Sequence, residues 1–220
     1  MDEKIKIIEL DFVNAFLVKV ENGYILIDTG MAFHWEKLEE ALQSAGCLPG
    51  KLKLVLITHG DRDHIGNCAN LQEKYHAPVA MHGSDAFMAE TGVFLKRKVR
   101  TLKAKIHILL ARWRSRKMVI PKFKPDILLK DGQNLQEYGF NAKVVHIPGH
   151  TKGSIGILTG EGELFAGDMF VNSKKPDIAI YVDSFPELKH SIDKLTKLHI
   201  KKVYPGHGKM FLFSDLKLKI

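Results

Sequence analysis

Cysteine is nearly absent from this chain: 220 residues contain only Cys47 and Cys68. Their spacing fits neither a disulfide framework nor a thiolate metal site, so a small disulfide-stapled fold is excluded and a reducing interior is expected. Cys68, one helical turn beyond His64, reads as a small buried hydrophobe rather than a site thiol. Long apolar runs are missing too, since no stretch approaches the ~18 uncharged residues of a spanning helix. The start, M-D-E-K-I-K-I, places acids where a secretory signal would need an apolar core, so a cytoplasmic protein is expected. No linker, low-complexity tract or repeat interrupts the chain. With 45% hydrophobic residues, residues 1–220 suit one globular domain.

A third absence is local. Residues 91–125 contain no acid but twelve bases, from Lys96 and Arg97 to Lys122 and Lys124. Without them the chain carries 21 basic against 25 acidic residues, a net of −4 in place of the overall +8. The basicity therefore belongs to one segment, and a protein that coats nucleic acid is a poor reading. Within it Leu95, Val99, Leu102, Ile106, Leu109 and Trp113 recur at steps of three and four. That spacing predicts an amphipathic helix across Val93–Lys117. Three readings stay open: a lid that attracts an anionic or amphiphilic small-molecule substrate, a peripheral membrane contact, or a partner-binding or dimerising surface. The oligomeric state is not encoded in any pattern.

What is present is concentrated in Thr58–Asn67, T-H-G-D-R-D-H-I-G-N. It follows Leu52–Ile57, a short apolar run expected to be a buried strand, and precedes helical spacing from Ile65 to Tyr75. Four potential cation ligands, His59, Asp61, Asp63 and His64, lie on this strand-to-helix turn. In an extended turn residues two apart point the same way, so His59, Asp61 and Asp63 are expected to face one point. Gly60 and Gly66 permit close backbone approach.

The other elements alternate. Strands are expected at Lys4–Leu10, Asn14–Val20, Tyr24–Ile27, Pro78–Met81, Ile127–Lys130, Phe140–Ile147, Ser154–Leu158, Leu164–Ala166 and Lys202–Tyr204. Helices are expected at His34–Ala45, Ser84–Glu90 and Pro186–His199. Periodicity alone supports only an α/β (α+β) domain.

The Thr58–Asn67 block resembles the signature of the metallo-β-lactamase superfamily, His-x-His-x-Asp-His, with Asp61 where the second histidine normally stands. Pro148–Ser154 (P-G-H-T-K-G-S), Ala166–Asp168 (A-G-D), Pro205–Gly208 (P-G-H-G) and Leu26–Gly30 (L-I-D-T-G) are similar to later and earlier blocks of the same family. The resemblance runs from about residue 14 to 208. It implies a four-layer αβ/βα sandwich, two mixed sheets with helices outside, and a binuclear metal-dependent hydrolase. It also implies a ligand set: His59, Asp61 and His150 on one divalent ion, Asp63, His64 and His207 on the other, and Asp168 bridging. Asp63 would orient the nucleophilic hydroxide between the metals, and Asp28 would fix the tautomer of a ligand histidine.

Such a site activates water, because a bound divalent ion lowers its pKa from 15.7 to about 7. The expected reaction is cleavage of a small ester, thioester, lactone or phosphoester. Zinc is the expected metal. The extra carboxylate at 61 weakens the first ion as a Lewis acid and admits manganese or iron, harder ions. The superfamily spans many chemistries, so the resemblance does not fix a substrate. A di-iron oxidoreductase of the same superfamily is the alternative enzyme. A membrane-surface or partner-binding module using the basic helix is the alternative outside enzymes. His34, His76, His107, His190 and His199 read as solvated; His82 and His146 lie near the motifs. Tyr181 and Asn172–Lys175, after Asp168, are expected to line the pocket.

Overall fold

The computed structural model describes residues 4–94, 97–99 and 120–217. Two hairpins open it: β1 (Ile5–Leu10), β2 (Val13–Val20) and β3 (Gly23–Ile27) pair antiparallel. β4 (Leu52–Leu56), β5 (Val79–His82) and β7 (Ile127–Leu129) then add in parallel, giving a six-stranded sheet in the order β1-β2-β3-β4-β5-β7. Helices α1 (Trp35–Ser44), α2 (Arg62–Ile65), α3 (Cys68–Tyr75) and α4 (Gly83–Thr91) connect these strands.

The second sheet is formed by β8 (Ala142–His146), β9 (Ile155–Thr159), β10 (Glu163–Asn172), β13 (Lys202–Gly208) and β14 (Phe211–Leu212). Its order is β14-β13-β10-β9-β8, with β11 (Asp177–Ile178) on β10. Helix α5 (Phe185–Leu195) packs outside it. A third, two-stranded ribbon pairs β6 (Lys98–Val99) with β12 (Tyr181–Val182).

Strand alternation builds the layers. In β2, Phe16, Val18 and Val20 enter the core between the two sheets, with Ile25, Ile27, Leu54, Leu56, Phe165 and Tyr204. Their neighbours Ala15 and Leu17 face the opposite way, onto Leu38, Leu42, Leu71 and Tyr75 of α1 and α3. On the far side Leu188, Ile192 and Leu195 of α5 cover Leu164, Met169 and Val203. Three apolar clusters thus separate four layers, helix–sheet–sheet–helix.

Four expectations change. The helix expected from Ile65 to Tyr75 is two helices, broken at Gly66-Asn67. The Gly66 N–H donates to Gly30 O (2.9 Å), and the Asn67 amide donates to the carbonyls of Thr29 and Met31. A Cβ on Gly66 would collide with that backbone. The short strand expected at Leu164–Ala166 continues to Asn172, and the one expected at Lys202–Tyr204 continues beside it to Gly208. The helix expected over Val93–Lys117 is a strand at Lys98–Val99, where Tyr181 and Val182 offer an antiparallel partner; residues 95–96 and 100–119 lie outside the described residues.

Candidate metal centre

The first ligand loop leaves β4 at Ile57. Asp61 ends its extended part (φ −73°, ψ 150°) and immediately precedes α2, to which its side chain makes no capping hydrogen bond. Asp63 and His64 therefore lie on a helical turn, and the expected common focus of His59, Asp61 and Asp63 is not found. Asp63 groups instead with His64 and His207, while His59 and Asp61 group with His150 and Asp168. In each group the potential ligand atoms lie within 4.8 Å of one another.

Every one of the four histidines is aimed from behind. His64 Nδ1 is 2.8 Å from Asp28 Oδ2, His150 Nδ1 is 2.7 Å from Tyr181 O, and His207 Nδ1 is 2.6 Å from Phe12 O. Carbonyl oxygens only accept, so in these two latter rings Nδ1 carries a proton and Nε2 is the nitrogen turned towards the cluster. His59 Nδ1 is 3.1 Å from Thr58 Oγ1, whose own hydroxyl donates to Asp28 Oδ2 (2.8 Å). Asp28, fully buried at φ 58°, thus orients two rings. Its L-I-D-T-G neighbour Thr29 locks the His64 carbonyl through both its N–H (2.8 Å) and its hydroxyl (2.7 Å).

Asp168 stands between the groups: Oδ1 is 3.3 Å from His64 Nε2, and Oδ2 is 3.2 Å from His207 Nε2 and 3.7 Å from His150 Nε2. Burial opposes its charge, but His207 and His64 hold its carboxyl well below the usual carboxylate range. Burial likewise depresses His64 and His207, yet Asp28, Asp168 and Asp63 raise His64 well above its ordinary value, and Asp168 and Asp63 bring His207 to about 9. For His59 burial prevails and lowers the pKa.

A cation fits this donor set. His59 Nε2, His64 Nε2 and Asp168 Oδ1 are buried with no hydrogen-bond partner. Buried polar atoms are almost always satisfied, so three orphans facing one another mark a missing partner. Four imidazole nitrogens with three carboxylates suit zinc, iron or manganese.

Side chains that the sequence did not single out complete the surroundings. Asp85, 1% exposed, accepts from Gly60 N–H (2.9 Å), Thr151 Oγ1 (2.7 Å) and Gly153 N–H (2.8 Å), joining the two ligand loops. Arg97 pairs with Asp61, and its Nε is 3.3 Å from Asp183 Oδ1. Burial opposes the charge on Asp61, but Arg97, His150 and His59 hold it well below the usual range. Beside the cluster lies a cavity of about 210 Å³, lined by Phe12, Val171, Ser173, Ile180 and Tyr181, with His150, Asp168 and His207 at its wall. Tyr181 and Ser173 thus line a pocket as expected.

The remaining histidines stay out of the cluster. His34, expected to be solvated, is buried, with Nδ1 accepting from Met31 N–H and Nε2 3.1 Å from Asp11. His82 and His146 stack on each other at 4.1 Å. His76, His190 and His199 are exposed, and His107 lies outside the described residues.

The family model of the metallo-beta-lactamase superfamily matches residues 8–207. The chain belongs to that superfamily. It is 28% identical to an acyl-coenzyme A thioesterase, MBLAC2, of Gallus gallus, over 90% of this chain and 73% of that protein. It is 31% identical to the hydroxyacylglutathione hydrolase GloC of Haemophilus influenzae, over 68% of this chain and 62% of that one. Among solved structures, TTHA1623 in a di-iron-bound form superposes with a TM-score of 0.69 at 28% identity, covering 96% of this chain and 94% of that chain. The chain is accordingly a metallo-β-lactamase-fold hydrolase, with the four-layer sandwich expected from its motifs. No described helix is long and apolar enough to cross a membrane.

Proposed function

We propose that the chain is a single-domain, cytoplasmic, metal-dependent hydrolase of small acyl thioesters. The observation that carries this is the convergence of His59, Asp61, Asp63, His64, His150, Asp168 and His207 beside a largely apolar cavity. In this reading His59, Asp61 and His150 would hold one divalent ion and Asp63, His64 and His207 the other, with Asp168 within reach of both groups. Zinc is the first choice, and iron or manganese suits the carboxylate at 61. Bound ions of this kind supply a water of pKa near 7 and polarise a carbonyl oxygen.

The chain's own groups do the rest. Asp63, 3.4 Å from His207 Nε2 and partly open to solvent, is placed to orient water and to carry its proton towards the leaving group. Asp28, Tyr181 O and Phe12 O keep the imidazoles in the ligating tautomer. Phe12, Val171, Ile180 and Tyr181 exclude water around the acyl part of the substrate. Thioesters are favoured over phosphoesters because the cavity wall is apolar, and because two relatives are named for thioester cleavage, an acyl-coenzyme A thioesterase and a hydroxyacylglutathione hydrolase. Two buried free thiols suit a reducing compartment.

The test is a panel of acyl thioesters, carboxylic esters, lactones and phosphodiesters assayed with metal-reconstituted protein. Thioesters should show the highest kcat/KM, and Asp63→Ala should lose roughly 100-fold or more. Preference for a phosphodiester, or full activity in Asp63→Ala, would overturn the reading. The oxidoreductase alternative requires about two iron atoms per chain, so zinc or manganese in the purified protein would count against it.

A further inference from the structure

Asp61 departs from the family pattern by replacing a neutral ligand with an anion, and Arg97 sits directly on it. The guanidinium is not a surface group that happens to reach a carboxylate. Its side chain is 11% exposed, and it lies between Asp61 and Asp183, which are 17% and 18% exposed. The backbone delivers it there: β6 begins at the next residue and pairs with β12, Val182 opposite Lys98 and Tyr181 opposite Val99. The same stretch holds the ligand loop, because Tyr181 O accepts from His150 Nδ1 and the Asp183 N–H donates to Gly149 O (2.8 Å). Asp61 Oδ2, the oxygen facing Arg97, also faces His150 Nε2 (3.1 Å) and His59 Nε2 (3.4 Å). Arg97 thus addresses the atom that a cation in this half of the site would need.

We propose that Arg97 is a positioning residue that governs metal occupancy: with Asp61 it forms a formally neutral pair in place of the missing imidazole, and it competes with the cation for Asp61. The proposal rests on the metal-centre reading above. Histidine at position 61 would bring no charge; Asp61 brings −1 and Arg97 returns +1. The pair therefore restores the electrostatic balance that the carboxylate alone would shift. Competition makes the two halves unequal. Asp63, His64 and His207 have no guanidinium among their described ion-pair partners, so that half fills first. The half containing His59, Asp61 and His150 fills second and more weakly, since a cation must displace or tolerate a fixed positive charge.

The experiment is titration of metal-free full-length protein with Zn²⁺ against a chromophoric chelator, repeated with Co²⁺ read by its visible absorption. Wild type should give two unequal steps. Arg97→Met should tighten the second step roughly tenfold or more, the scale of one unit charge at contact distance in a partly buried site. Its first step should stay within about threefold, which also reports an intact fold. Arg97→Lys keeps the charge and should keep the second step weak. A second step unmoved or weakened by Arg97→Met, or Arg97→Lys behaving like Arg97→Met, would overturn the proposal while leaving the metal centre standing. A wild type that takes up no metal would overturn both. Should Arg97→Met not fold without metal, the wild-type Arg97 Nε–H resonance decides. It should hold still through the first equivalent and shift with the second; a shift with the first, or none, would overturn the proposal.

Discussion

At Asp85 one buried carboxylate accepts from Gly60, Thr151 and Gly153, and so fixes the spacing between the loop carrying His59 and the loop carrying His150. Removing it leaves the buried Gly60 and Gly153 N–H groups without their acceptor, while Thr151 Oγ1 keeps Ser154 Oγ at 2.8 Å. Hydrogen bonds to a buried charge contribute about 1.5–3 kcal/mol each, so Asp85→Ala should cost roughly 3 kcal/mol or more in urea unfolding. It should also weaken metal binding by roughly 10–100-fold, the usual effect of losing a group that orients ligands. Unchanged metal affinity in a folded Asp85→Ala would show that the loops hold their spacing without it. This residue also marks where sequence reasoning stopped. The seven candidate ligands were visible because they cluster at strand ends next to glycine, in blocks with a recognisable order. Asp85 read only as part of a helix start, and Arg97 was one of twelve bases in a segment with helical spacing. Their importance comes from what folds against them, Gly153 in one case and Asp61 in the other, and no local pattern carries that.

Among the elements, β13 carries the sharpest constraint. Its Pro205–Gly208 stretch runs parallel to β10 with shifts in register, which brings His207 beside Val171 and keeps Gly206 against the cluster. A Cβ on Gly206 would stand 2.6 Å from Asp168 Oδ1 and 2.7 Å from His64 Cε1. Gly206→Ala should therefore fold, at an overpacking cost of about 1–3 kcal/mol, but displace two candidate ligands. Metal uptake measured by elemental analysis should fall well below wild type while the circular dichroism spectrum is retained. Wild-type metal content in this variant would mean that the two ligands have room to move. Element types were largely legible from alternation and helical spacing, because β2 to β4 send alternate residues into different cores. Breaks and extensions were not. The interruption at Gly66-Asn67 depends on the Thr29–Met31 backbone lying alongside, and the strand at Lys98–Val99 depends on β12, more than eighty residues away in the chain.

For the molecule as a whole, the cluster at the junction of the two sheets ties folding stability to pH. Asn14 of the first sheet donates to Pro205 O (3.0 Å) and Gly208 O (2.8 Å) of the second, so the strand that carries His207 is tied to both sheets. Without metal, His64 and His207 are held protonated by the surrounding aspartates, His207 up to about 9. A histidine whose folded pKa lies above its unfolded value of about 6.5 contributes stability that is complete below that value. The contribution disappears as pH rises through the folded pKa. Asp61 and Asp168 are shifted downward, so their contribution is present above about pH 4 and is lost in acid. Burial pushes His59 down, so its contribution is lost as pH falls below about 6.5. Chelator-treated protein should thus be most stable near about pH 6.5 and lose up to about 3 kcal/mol towards pH 9, which is a fall in Tm on the order of 5–10 °C. Metal inverts the dependence. A cation binds the deprotonated imidazoles and releases their protons, so its affinity and the stability it adds should both rise over the same interval. Thermal unfolding from pH 6 to 9.5, with chelator and with zinc, should give curves that diverge with increasing pH. Parallel curves would mean that the imidazoles are not the groups exchanged when metal binds.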